Sequence, residues 1–259
     1  MPVISVNGTF SGRPVWENIS VINETAVDRI DFWKVSLLQS EELFTRLYHL
    51  LNEAEAEKYK RYFKEDDKKR FLISHSVVKI LAGKYLIQDP YEVKIKEGNN
   101  KKPFVQNDVR KDFHYNLSHS GNWVLIAVSK KEIGVDIESK EKQFSFDEII
   151  LSFFSLEEIE FVKQSHPVAE AFYLLWTRKE ALLKATARGI TDYLPLVPSL
   201  NGIHTVDETI LDSSADWEVN SFEVDESHIA SFACNPGVKS IRYLDIASVL
   251  SGKLNIADA

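Results

Sequence analysis

The chain has 259 residues, 44% of them apolar and 27% charged, and a formal charge of −8. This composition belongs to a folded soluble protein of one domain or two small ones. The acidic balance argues against a dedicated nucleic-acid binder, which normally carries a basic excess, and Cys234, the sole cysteine, excludes both an intrachain disulfide and a cysteine-rich zinc site.

The opening segment, Met1–Phe10, lacks a basic region followed by a long apolar stretch. The apolar run Trp123–Val128 is too short to cross a bilayer. A cytoplasmic protein with no membrane association is therefore expected. The first stretch of chain reads as short strands and turns. Helical signals begin at Ser40, an N-cap residue followed by Glu41 and Glu42, and recur at Asn52 with Glu55, before Ala56, Tyr59 and Tyr62. A longer helix is predicted over Glu65–Leu86, with Phe71, Val77, Val78, Leu81 and Tyr85 on its buried side. Val93 and Ile95 read as a strand; the turn Gly98-Asn99-Asn100 and then Phe104-Val105 follow.

Tyr115–Leu117 and Trp123–Val128 read as two strands joined by the polar turn Ser118-His119-Ser120-Gly121-Asn122, and Ile133–Glu138 as another strand. Capping-box spacing marks two further helix starts, Ser145 with Glu148 and Ser155 with Glu158. A strong helix is predicted over Pro167–Arg188, with Pro167 in its first turn and Gly189 as its stop. The remainder is expected to form antiparallel strands at Trp217–Val224, Ile229–Cys234 and Val238–Leu244. The order of elements is mixed α+β.

Two segments carry carboxylates in a suggestive pattern. Ile133-Gly134-Val135-Asp136-Ile137-Glu138 alternates strictly, so a strand here places Gly134, Asp136 and Glu138 on one face. The like charges of Asp136 and Glu138 are costly together unless a cation or proton relieves them, and Gly134 is expected to leave room for a ligand. In Trp176-Thr177-Arg178-Lys179-Glu180-Ala181-Leu182-Leu183-Lys184, helical spacing puts Trp176, Glu180 and Lys184 on one face. Three oxygen ligands without cysteine suit a hard cation such as magnesium. Each segment also has an ordinary alternative: a solvated edge strand for the first, a surface ion pair for the second.

Taken together, Asn116-Leu117-Ser118-His119-Ser120, Gly134-Val135-Asp136-Ile137-Glu138 and Trp176–Lys184 resemble, in order and separation, the signature motifs of Sfp-type 4′-phosphopantetheinyl transferases. Phe153-Phe154-Ser155 with Glu158 resembles the segment between the last two motifs. The resemblance runs from about Asn52 to about Gly189.

It implies an α+β fold of two similar halves in a pseudo-twofold arrangement, 1–130 and 131–259, with coenzyme A in the cleft between them. The first half would supply nucleotide and phosphate contacts, and the second the metal site and catalytic helix. By motif position the resemblance makes Asp136, Glu138 and Glu180 metal ligands for Mg2+, with Mn2+ as an alternative. It makes Ser118 and His119 phosphate contacts, puts Lys179 and Lys184 near the pyrophosphate, and leaves Glu158 as candidate base. Upstream, Lys58 and Arg70 match the family's nucleotide contacts. Lys102-Pro103 matches its Gly-Lys-Pro element, with Lys101 in the glycine position and Glu55 where some members carry a basic residue.

The implied reaction transfers phosphopantetheine from coenzyme A to a serine of an acyl or peptidyl carrier protein and releases 3′,5′-ADP. Lys179 and Lys184 would stabilise developing charge, and Glu158 would take the serine proton. A capping role for Glu158 stays equally open, because it follows Ser155 by three residues. A monomer is expected. The alternative function is a non-catalytic module that binds coenzyme A or a carrier. The pair Ser118-His119 does not by itself define a hydrolytic triad, and no Gly-x-Ser-x-Gly elbow occurs.

Overall fold

The computed structural model describes residues 2–19, 22, 27–107, 112–141, 146–189 and 193–251. In chain order its elements are β1 (Val3–Phe10), β2 (Glu17–Asn18), β3 (Arg29–Ser36), α1 (Glu41–Tyr48), α2 (Glu53–Lys60), α3 (Glu65–Leu86), β4 (Lys94–Glu97), β5 (Pro103–Gln106), β6 (His114–Ser120), β7 (Trp123–Ser129) and β8 (Ile133–Ser139). There follow α4 (Asp147–Phe153), α5 (Leu156–Gln164), α6 (Val168–Thr186), β9 (Gly202–Asp207), α7 (Glu208–Leu211), β10 (Trp217–Glu223), β11 (His228–Cys234), β12 (Ser240–Asp245) and α8 (Ala247–Ser251). The mixed α+β class read from the sequence holds. None of the helices described is long and apolar enough to cross a membrane.

The chain divides into two compact units. One comprises Met1–Pro14, Gly98–Lys102 and Lys131–Lys239; the other Val15–Glu97, Pro103–Lys130 and Ser240–Ala259. Neither unit is one continuous stretch of chain.

The first unit holds a five-stranded sheet in the order β8-β11-β10-β1-β9. Its pairs are antiparallel except β1 with β10. Helix α6 packs on it through Ala181, Leu182, Leu183 and Ala185, in a core shared with Ile4, Val6, Val219 and Ala233. Burying an aliphatic side chain of this size stabilises by about 1.5–3 kcal/mol. Ala187 ends α6 in a left-handed conformation at φ 54°, ahead of Gly189, the expected stop. The helix stops there because two side chains reach its last carbonyls, which have no partner within the helix. Asn100 Nδ2 donates to Ala187 O at 2.6 Å, and Lys102 Nζ to Ala185 O at 2.7 Å. Lys101, where the family resemblance expects glycine, itself adopts φ 62°.

The second unit holds a five-stranded sheet in the order β2-β12-β3-β7-β6. Helix α3 spans the predicted range, and its Val77, Ile80 and Leu81 pack in one core with Trp33, Val35, Val124 and Ile126. Helix α2 starts with the full Asn52–Glu55 capping box. Strand β12 pairs parallel to β3 here, not antiparallel beside β11 as the sequence suggested. Asp31, fully buried on β3, accounts for this: Arg242 of β12 donates to both its oxygens at 2.7 Å, and Tyr85 donates to Oδ2 at 2.7 Å. A carboxylate out of water must be paired.

Strand β6 also runs further than expected. Its ladder continues through Ser118↔Leu125, His119↔Val124 and Ser120↔Trp123, so the turn shrinks to Gly121-Asn122, with Gly121 at φ 53°. Two-residue hairpins require that left-handed backbone. The polar string Ser118-His119-Ser120 is therefore strand, not loop. The predicted Ser145 cap lies outside the described residues.

Candidate functional site

Gly134 carries no side chain, and α6 fills the space where one would be. A Cβ built on it would overlap Ala181 O and Ala185 N and lie 2.9 Å from Ala185 Cα. The glycine was expected to leave room for a ligand; it leaves room for a helix backbone instead. This close approach seats α6 directly on β8, although β8 is an edge strand of its sheet. Two residues along the same strand face is Asp136, with only 5% of its side chain exposed. One helical turn apart on α6 are Glu180 and Lys184.

These three side chains converge. Lys184 Nζ donates to Asp136 Oδ1 at 2.6 Å. Burial pushes the Glu180 carboxyl above its usual range, the charge of Asp136 adds to that, and Lys184 opposes it. Asp136 and Glu180 thus repel one another across the strand–helix contact while the Lys184 ammonium acts on both. Glu138, further along β8, acts on another group: the Tyr173 phenol is pushed up first by burial, then by the charges of Glu141 and Glu138.

Two repelling carboxylates on rigid elements fit a hard divalent cation. The expected set of three is not preformed, however. Among the described residues no group of three or more His, Cys, Asp or Glu is arranged to hold a metal ion. Lys184 already sits on Asp136, and Glu138 stands close enough to Tyr173 to act on its phenol.

Glu158 and Lys179 form a separate buried hub. Glu158 is 2% exposed. Its Oε2 accepts from Ser155 N, closing the predicted capping box, and from Lys179 Nζ at 2.8 Å. Its Oε1 accepts from Ser199 N and Ser199 Oγ at 3.0 and 2.6 Å. Lys179, with no exposure, also donates to Leu194 O and Val197 O. An ammonium has three donors, and all three of Lys179 are engaged within the unit, so none is left for the pyrophosphate expected beside it. Burial holds Lys179 below its ordinary range, against the pull of Glu158.

The neighbouring Arg178 is buried among neutral acceptors. It donates to Ser221 Oγ, Ser199 O, Thr9 O and Asn201 Oδ1 at 2.7–2.8 Å, and burial lowers it to about 10. Ser199 and Arg178 escaped the sequence reading. The available signal was that Arg178 and Lys179 fall among the buried positions of a helix rather than on its exposed side.

Lys102, expected to contact coenzyme A, pairs with Glu132 at 2.7 Å as well as capping α6. The remaining expected contacts lie in the second unit. Lys58 is exposed, with its ammonium 5.6 Å from the centre of the Phe71 ring. Arg70 pairs with Asp67 at 3.1 Å, and its buried Nε has no hydrogen-bond partner. Ser118 is buried and His119 exposed, since successive strand residues face opposite ways. Glu55, in the position where some family members carry a basic residue, accepts from the buried Lys79 at 2.5 Å.

Two family models match the chain. Residues 33–131 match "4′-phosphopantetheinyl transferase, N-terminal" and residues 132–233 match "4′-phosphopantetheinyl transferase superfamily". Among curated relatives, a 4′-phosphopantetheinyl transferase of Bacillus subtilis is 33% identical over 153 residues, 58% of this chain and 66% of the relative. The 4′-phosphopantetheinyl transferase ffp of the same species is 30% identical over 61% of this chain and 68% of the relative. The 4′-phosphopantetheinyl transferase Sfp of Bacillus subtilis strain 168 is 29% identical over 76% of this chain and 88% of the relative. The chain thus spans just under two thirds of the first of these relatives and most of the last.

Two stability measurements check this geometry. Gly134→Ala forces the α6 backbone off β8 and is expected to cost about 1–3 kcal/mol in urea unfolding, as overpacking does. Glu158→Ala leaves Lys179 buried and uncompensated and is expected to cost about 3–5 kcal/mol, with much of the loss recovered when Lys179→Met is added.

Proposed function

The chain belongs to the Sfp-type 4′-phosphopantetheinyl transferase superfamily, and from that premise we propose that it moves the 4′-phosphopantetheine arm of coenzyme A onto a serine of an acyl or peptidyl carrier protein, with 3′,5′-ADP as leaving group. The observation that carries this reading is the convergence of Asp136, Glu180 and Lys184 where α6 rests on β8. A phosphoryl group transferred from a diphosphate needs its charge neutralised more than it needs covalent help from the protein. Two carboxylates and an ammonium on rigid elements suit that task.

We assign Mg2+, replaceable by Mn2+, to Asp136 and Glu180, with Glu138 as third ligand; when bound, it polarises phosphate oxygens and offsets charge on the leaving nucleotide. Lys184 donates to a phosphate oxygen. Lys58, Arg70, Ser118 and His119 serve the nucleotide, and Arg70 has a buried Nε still to be satisfied. Lys102 contributes by holding the end of α6. The attacking serine must lose a proton, a step worth roughly 10²–10⁴-fold when a side chain assists. With Glu180 committed to the cation, we assign it to solvent water. Glu158 would have to break bonds to Ser199 and Lys179 to do the same, so its role is to hold them. The working form in this reading is a cytoplasmic monomer.

Incubation with magnesium, coenzyme A and an apo carrier is expected to add one phosphopantetheine to the carrier, read by intact-protein mass spectrometry. Asp136→Asn and Glu180→Gln are expected to lower the rate by about 100-fold or more with the circular-dichroism spectrum unchanged. Absence of transfer to any carrier of the source organism would overturn the activity. Full turnover in Asp136→Asn would overturn the cation assignment.

A further inference from the structure

We propose that Lys184 is a resident counter-ion on Asp136 that a divalent cation has to displace before the site accepts an anionic diphosphate. This deepens the transferase reading and rests on its assignment of Asp136 and Glu180. The argument starts from burial. Asp136 has 5% of its side chain exposed, and an ionised carboxylate so enclosed needs a positive partner. The Lys184 ammonium supplies it at 2.6 Å. Lys184 lies one helical turn after Glu180, and its charge acts on that carboxyl as well. With both acids ionised, the trio carries two negative charges and one positive, so its net charge repels a diphosphate.

A divalent ion bound to the same Asp136 oxygen would stand beside the ammonium, and like charges at that range repel strongly. Of the two, Lys184 is the one that can move: its side chain is 30% exposed, and a lysine stem is flexible. Its departure leaves the carboxylates to the cation and frees three N–H donors for phosphate oxygens. With the cation and its third ligand Glu138 counted, the net negative charge is cancelled, which removes the repulsion of a diphosphate. Cation entry therefore opposes Lys184 first and recruits it afterwards, which makes cation binding and diphosphate binding mutually reinforcing.

The test is Mn2+ binding without coenzyme A, followed by electron paramagnetic resonance, for the wild type, K184M, K184Q, K184R and D136N, each checked for folding by circular dichroism. K184M and K184Q are expected to bind Mn2+ about tenfold more tightly than wild type, K184R to bind like wild type, and D136N to lose binding. The metal-free K184M protein should also melt below wild type and gain more from Mn2+. Either neutral variant, whichever folds, suffices for the comparison. Equal or weaker Mn2+ binding in the neutral variants overturns the proposal, and the loss in D136N would show that the cation site survives it. Mn2+ binding absent from wild type, or unchanged in D136N, removes the cation site and this proposal together.

Discussion

The arrangement depends on one steric fact: a helix backbone lies on a strand where a side chain would stand. Gly134 lets Ala181 and Ala185 of α6 approach β8 more closely than any Cβ would allow. Everything charged in the candidate site follows from that seating. Asp136 is carried two residues along the strand, and Glu180 and Lys184 are carried on the turn of helix that flanks the contact. The position is thus fixed for packing reasons first, and the electrostatics are inherited from it.

Such a contact is useful only if the helix cannot roll. Buried polar anchors on α6 prevent rotation. Lys179 reaches Glu158, Leu194 and Val197, while Arg178 reaches Thr9, Ser199, Asn201 and Ser221. Ser221 continues through Ser231 to Thr177, at 2.8 and 2.7 Å. Each of these groups is out of water, so each is costly to leave unpaired. The acceptors lie on strands, on helix α5 and on the chain between α6 and β9, which defines the rotation of α6 as well as its height. Arg178 and Lys179 serve as fixings, and in the proposed reading the chemistry falls to the half-buried positions 180 and 184.

Much of this was legible in the amino-acid order, for reasons that are local. Helix α3 and the caps at Ser40, Asn52 and Ser155 are written in short-range periodicity and capping chemistry, and all appear as read. Alternation along 133–138 was also enough to put Asp136 on one face with Gly134. What could not be read was whatever depends on distant partners. The pairing of β12 with β3 is decided by Arg242 meeting Asp31, 211 residues away. The hub at Glu158 needs Ser199, which no spacing rule connects to it. The function of Gly134 was misread because an empty position looks alike from the sequence whether a ligand or a helix will occupy it. The length of β6 was underestimated because polar residues in a hairpin resemble a turn until their register is known.

The most direct measurement is the titration of the Glu180 carboxyl by carbon-detected NMR in divalent-free buffer, for the wild type and for Asp136→Asn. If α6 is seated on β8 as described, Glu180 titrates above 4.5 in the wild type, and the value falls when the Asp136 charge is removed. An unchanged titration in Asp136→Asn would mean that the two carboxylates do not face one another, and would contradict the account at its centre.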